Sequence, residues 1–212
     1  MTISKNPVRR RPGRPKGGDS AATREHILQC AFDLIATRGY RGTSMATVAE
    51  TACLSQTGLA HHFRTKDVLL AAVLDRRDAI DHADIDAALG GTADGWPYFE
   101  ALLRLVALNS DRAALVRLFS TVTAEALDEQ HPAHGWVERH YADTIARATT
   151  ALRRGQAMGT VRQDAPVEAI ARNTIALMDG LQTQWLLDPT FDMVPAFDAY
   201  VSDLRGRWGQ AG

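Results

Sequence analysis

The sequence predicts an all-α fold, on three observations. Apolar residues recur at three- and four-residue steps along most of the chain, and no segment alternates apolar and polar residues long enough for a half-buried strand. Gly, Pro and capping residues then punctuate the chain at helical lengths. With 212 residues, 45% apolar and 23% charged, there is room for one or two small domains with a sizeable core. The apolar stretches fall short of the roughly 18 residues that a membrane-spanning helix needs. Pro7, Pro12 and Pro15 stand where a secretory signal would need an apolar run, so a cytoplasmic protein is expected.

Residues 1–19 carry six Lys or Arg, three prolines, no acid before Asp19 and almost nothing apolar. Such a basic N-terminal arm cannot repay its ordering entropy and is expected to be disordered when free. Ile27, Ala31, Leu34 and Ile35 set helical spacing from about Ala22 to Arg38, and Gly39 stops that helix. Thr43 or Ser44 caps a short second helix bearing Met45, Val48, Ala49 and Ala52. Ser55 caps a third, with Leu59 and Phe63 on its inner side, and Thr65 caps a long fourth with Leu69, Leu70, Val73, Leu74 and Ile80. Gly90, Gly91 and Gly95 mark a loop, after which Pro97 opens a helix through Phe99, Leu102, Leu103, Val106 and Leu108. Further helices are expected at about Arg112 to Leu127, Pro132 to Met158, Pro166 to Leu187 and Val194 to Trp208. Cys30 and Cys53 both fall in helix-like apolar patterns and are taken as reduced core residues, a redox-sensing thiol being the alternative.

The net charge of −1 conceals a division. Residues 1–66 hold eleven Lys or Arg against four Asp or Glu, whereas residues 67–212 hold thirteen against twenty-one. A basic module joined to an acidic one favours a polyanionic partner for the first and argues against one for the second, uneven but solvated surface charge being the alternative. The expected organisation is an arm at 1–19, a DNA-binding three-helix unit at 20–66 and a helical unit at 67–212.

Within residues 20–66, two short helices joined by Ala52–Cys53–Leu54 would be unstable alone and need the first helix behind them. With Leu59 and Phe63 turned inward, Gln56, Thr57, Gly58, Ala60, His61 and His62 lie on or near the outer side. Gln, Thr and His can exchange hydrogen bonds with base edges, and Ala60 can meet a thymine methyl, which is how a recognition helix in a major groove is furnished. Lys66 in the first turn of the fourth helix opposes the helix dipole unless an anion binds there. Free amides at that helix start, and at Thr43 and Ser44, are donors suited to phosphate. For His61 and His62 packing against the fourth helix is an alternative; adjacent helix residues diverge, so no metal site is expected.

The stretch Gly39–Tyr40–Arg41–Gly42–Thr43–Ser44, Val48–Ala49–Glu50 and Leu54–Ser55–Gln56–Thr57–Gly58–Leu59–Ala60–His61–His62–Phe63–Arg64–Thr65–Lys66 resembles the helix-turn-helix of the TetR (tetracycline-repressor) family, over about residues 21–80. The resemblance implies an all-helical homodimer that usually represses transcription until a small ligand binds, with no cofactor. Its DNA-touching positions match Thr43, Ser44, Gln56, Thr57, His61, His62 and Lys66. Many members carry Tyr where this chain has Ala60, which puts the operator sequence in doubt but not DNA binding.

In the arm, Arg9, Arg10, Arg11, Arg14 and Lys16 surround Gly13–Arg14–Pro15, which is similar to an AT-hook core. Extended chain and arginine suit a narrow A·T minor groove. A solubilising or non-specific phosphate-binding tail is the alternative.

One helix-turn-helix reads too few bases for a selective site, so symmetry should double it. Val194, Phe197, Val201, Leu204 and Trp208 repeat at the spacing of a narrow helix–helix seam, and Ile170, Met178, Leu181 and Trp185 band the preceding helix. Together they are the expected dimer interface, a stripe covering the chain's own core being the alternative. Trp96, Phe99, Leu103, Phe119, Val122, Tyr141, Met178 and Gln182 are candidates for lining a pocket for an unknown small-molecule effector. No nucleophile elbow, zinc-protease, Walker A or dinucleotide motif occurs, which argues against an enzyme. His131, His134, Glu138 and His140 are taken as a solvated helix start, because Pro132 and Gly135 disrupt metal-like spacing. A transcriptional activator and a ligand-independent architectural DNA-binding dimer stay open.

Overall fold

The computed structural model describes residues 18–91 and 94–210. Nine helices make up the described chain: α1 (Gly18–Arg38), α2 (Met45–Thr51), α3 (Gln56–His62), α4 (Lys66–Leu89), α5 (Trp96–Asn109), α6 (Ala113–Glu125), α7 (His134–Ala157), α8 (Val167–Leu187) and α9 (Met193–Trp208). Among the described residues there is no sheet; a single antiparallel bridge joins Val161 and Gly209. No described helix is long and apolar enough to cross a membrane.

Local chemistry sets the boundaries. Gly39 ends α1 at φ +71°, a conformation that L side chains rarely adopt, and a Cβ there would also meet Glu125 Oε1 at 2.5 Å. Ser44, Ser55 and Thr65 cap α2, α3 and α4, each accepting from the N–H three residues on, at 3.1, 3.0 and 3.2 Å. The turn between α2 and α3 needs one left-handed residue, and Cys53 supplies it at φ 55°. Cys53 is therefore exposed and not in the core as expected; Cys30 is buried.

Two apolar clusters hold the molecule together. The first joins α1, α2, α3 and the start of α4 to Leu115, Leu118 and Val122 of α6 and to Val137 of α7. The N-terminal unit thus finishes its core on helices from the other half of the chain. The second gathers α5, α7, α8 and α9 around Phe99, Leu102, Leu152 and Phe197. Helix α4 belongs to both, with Leu69, Leu70, Val73 and Leu74 in the first and Ile85 in the second. Between them its buried face is Arg77 and Asp81.

Candidate functional site

Helix α3 is seated by Leu59 and Phe63, each 1% exposed, which turns its opposite face to solvent. Gln56, Thr57, Ala60 and His61 are exposed, and Gly58 and His62 half-buried. Ser44 is exposed at the start of α2, where its hydroxyl also lies 2.8 Å from Thr47 Oγ1. The expected outer face of α3 is assembled as anticipated.

Thr43 is a correction. It is 3% exposed, and its hydroxyl donates to the Gly39 carbonyl at 2.9 Å, tying off the turn after α1. That leaves its side chain no free donor for DNA. Lys66 is half-buried, with Nζ 3.8 Å from the centre of the Tyr40 ring. Burial lowers its pKa, against the opposing charges of Glu125 and Asp67. The Tyr40 hydroxyl donates to Asp67, and its backbone N–H donates to Glu125 Oε2 at 2.8 Å. Arg41 pairs at the surface with Asp128, just beyond α6, at 2.6 Å. Arg9, Arg10, Arg11, Arg14 and Lys16 lie outside the described residues.

A second feature lies at the middle of α4. A cavity of about 30 Å³ is bounded by Arg77, Asp78, Asp81, Tyr98, Phe119, His140, Met178 and Asp179, among others. Arg77 is 4% exposed, its guanidinium 3.0 Å from Asp78, 2.8 Å from Asp81 and 4.2 Å from the Phe119 ring centre. His140 lies 3.1 Å from Asp78. Burial pushes the Asp78 carboxyl up, but His140 and Arg77 outweigh it and leave the pKa below the ordinary value. At Asp81 and Asp179 burial prevails over Arg77, and over the Tyr141 hydrogen bond in the second case, so both stand above it.

Of the expected pocket residues, Phe119 and Met178 bound this cavity, and Tyr141 holds Asp179 through a 2.7 Å hydrogen bond. The others go elsewhere. Trp96 donates to the Thr160 carbonyl at 3.1 Å, Phe99 and Leu103 pack in the second cluster, and Val122 belongs to the first. Gln182 is buried with Nε2 unpaired. The charged lining was missed, although Arg77 and Asp81 fall four and eight positions after Val73, on the apolar stripe itself.

The residues expected at the dimer seam pack into the chain's own core. Ile170, Met178, Leu181, Trp185, Phe197, Val201 and Leu204 are at most 8% exposed within the single chain, and Val194 and Trp208 pack against the same cluster. The exposed positions of α8 and α9 mix small residues, among them Ala169, Ala176, Ala199, Ser202 and Gly206, with polar and charged ones such as Arg172, Gln184, Asp198 and Asp203, and Gly180 is half-buried. His131 is likewise buried, edge-on to Tyr40 at 5.0 Å, rather than solvated. His134 contacts the Ala126 carbonyl at 2.8 Å and His140 faces Asp78. Among the described residues, no three His, Cys, Asp or Glu are grouped to hold a metal.

Residues 27–73 match the family described as bacterial regulatory proteins, tetR family, and residues 98–205 match the BetI-type transcriptional repressor C-terminal family. The chain is 25% identical over 179 residues to the HTH-type transcriptional regulator PksA of Bacillus subtilis, covering 82% of this chain and 84% of that one. It is 26% identical over 161 residues to an HTH-type transcriptional repressor of Mycobacterium tuberculosis, covering 76% and 81%. A transcriptional regulator of Saccharomonospora viridis, crystallised with choline, shares its fold with a TM-score of 0.72 at 24% identity, over 90% of this chain and all of that one. The exposed helix of a helix-turn-helix, the fold behind it and both halves of the sequence converge on one conclusion: this chain belongs to the TetR family and is a DNA-binding transcriptional regulator.

Proposed function

We propose that this chain acts in the cytoplasm as a homodimeric repressor that leaves a palindromic operator when a small molecule enters the cavity on α4. The observation that carries DNA reading is the outer face of α3, polar and uncommitted while Leu59 and Phe63 fix its inner face. Gln56, Thr57, His61 and His62 meet base edges, Gly58 lets the backbone approach, and Ser44 and the amides at the start of α4 take phosphates. Lys66 swings from Tyr40 to a phosphate. Arg9, Arg10, Arg11, Arg14 and Lys16 add contacts from the arm, which makes the affinity steeply salt-dependent.

Pairing uses the small exposed residues of α8 and α9, which let two copies approach closely and form a four-helix contact. Such pairing sets two recognition helices about 34 Å apart, one turn of DNA. Repression is supported by the name of the M. tuberculosis relative, and a small-molecule effector by the choline held in the S. viridis neighbour.

The lever is α4, whose buried face runs from Leu69 to Leu74 beneath α1–α3 and then directly into Arg77 and Asp81 at the cavity. A ligand favouring one position of α4 changes the spacing of the heads, and by linkage DNA and ligand then oppose each other. Selection of duplexes from a random pool, followed by release assays with candidate compounds, tests this. A selected palindrome that is released by a compound supports the proposal. Broad, sequence-blind coating of DNA refutes it.

A further inference from the structure

We propose that the cavity on α4 takes a protonated organic amine, its ammonium head between Asp81, Asp179 and the Tyr98 hydroxyl and its carbon chain leaving along the groove between α4 and α7. The proposal rests on reading this cavity as the effector site. Three carboxylates, Asp78, Asp81 and Asp179, bound the cavity together with the Arg77 guanidinium and the imidazoles of His82 and His140, with Arg147 on the exposed outer wall. Arg77 is committed to Asp78 and Asp81, and His140 adds a second partner to Asp78. The Arg77 Nε is unpaired, but its guanidinium rests on the face of Phe119. Among the described residues the Asp179 carboxylate accepts one hydrogen bond, from the Tyr141 phenol, with Arg77 and His140 acting on it through charge alone. Asp81 Oδ1 and the Tyr98 hydroxyl have no partner among the described residues, although Asp81 is 6% and Tyr98 3% exposed. Buried polar atoms left so are costly, and an N–H donor carrying positive charge satisfies both acceptors.

Size narrows the class further. A cavity of about 30 Å³ holds about two water-sized bodies, which suits a primary ammonium group and is too small for a trimethylated one without moving the walls. His82, Ile85, Tyr98 and Arg147 bound both this cavity and a neighbouring groove of about 550 Å³, where Leu89, Ala146 and Ala151 give a strip of apolar wall for a hydrocarbon chain between the polar side chains of Asp86, Asp143, Thr150 and Arg154.

The test uses the full chain with four probes of one chain length: hexylammonium, hexyltrimethylammonium, hexanol and hexanoate. Calorimetry reads affinity, and release of a selected operator reads response. Hexylammonium is expected to bind at least about tenfold more tightly than each of the others and to release the DNA. Asp81→Asn and Tyr98→Phe are each expected to weaken it by about tenfold while weakening hexanol, whose hydrogen bonds there carry no charge, by less. Where loss of Asp81 strands buried Arg77 and unfolds the protein, Tyr98→Phe, which removes only a hydroxyl, decides. Equal or tighter binding of hexanol, hexanoate or hexyltrimethylammonium overturns the proposal, as does no binding by any probe. The effector reading itself fails separately, if a compound that releases the operator from the native protein does so equally well from the cavity-filling variant Met178→Trp.

Discussion

The backbone N–H of Tyr40 donates to the carboxylate of Glu125 across 2.8 Å and 85 positions of sequence. This bond ties the turn in front of the DNA-reading helices to the end of α6, whose Phe119 bounds the charged cavity. With the Tyr40 hydroxyl on Asp67 at the start of α4, one residue is hydrogen-bonded to both helices that link the halves of the molecule.

Removing that tie should separate stability from control. Glu125→Ala leaves a half-buried N–H unpaired and should cost about 1–2 kcal/mol in unfolding free energy. Any compound that releases DNA from the native chain should do so less completely from the variant. Chemical denaturation and a release titration measure the two effects.

The outer face of α3 should carry DNA affinity without carrying the fold. Gln56→Ala and His61→Ala are each expected to weaken binding to the selected operator by about 1–3 kcal/mol, with Tm unchanged. Thr43→Val should do the reverse, costing about 1 kcal/mol of stability through its lost buried hydrogen bond. Paired measurements of anisotropy and thermal melting distinguish the two classes.

Cys53→Gly should stabilise the protein by about 0.5–1 kcal/mol, because a left-handed backbone costs glycine nothing. Equilibrium unfolding under reducing conditions reads the change.

The small residues of α8 predict the assembly. Gly180→Arg places a long charged side chain where the single chain offers open space, so the monomer should fold normally. Sedimentation should then show a monomer, and operator affinity should fall with loss of the paired heads.

Asp179 predicts a pH-dependent trade. Its folded-state pKa lies above the ordinary value because of burial, so stability is lost as pH rises from the unfolded to the folded pKa. Asp179→Asn keeps an acceptor for Tyr141 and removes the buried charge. It should raise Tm at neutral pH, with the gain vanishing in acid, and should weaken hexylammonium binding.

How much of this was visible beforehand follows from the range of each signal. Ser55 and Thr65 were legible as caps because capping is local, and the inner side of α3 because Leu59 and Phe63 share a helical period. The choice between Thr43 and Ser44 was not legible, since it depends on how the turn folds back onto Gly39. Phe197, Val201 and Leu204 form a real stripe, but apolar spacing does not tell a chain's own core from a partner's. The small exposed residues of α8 and α9, proposed above as the pairing face, carry too weak an apolar signal to be singled out from spacing. Arg77 and Asp81 stood on the apolar stripe of α4 and were open to notice. That Tyr98 and Asp179 join them depends on the packing of α5 and α8.

The central claim is that the face formed by Gln56, Thr57, His61 and His62 enters the DNA major groove. The direct measurement is equilibrium binding of the native protein and of Gln56→Ala to a duplex selected from a random pool, against unrelated competitor at moderate salt. The account predicts tight, selective binding by the native protein, with selectivity relaxed in the variant. Equal binding of selected and unrelated DNA by the native protein, or identical selectivity in both, would contradict it.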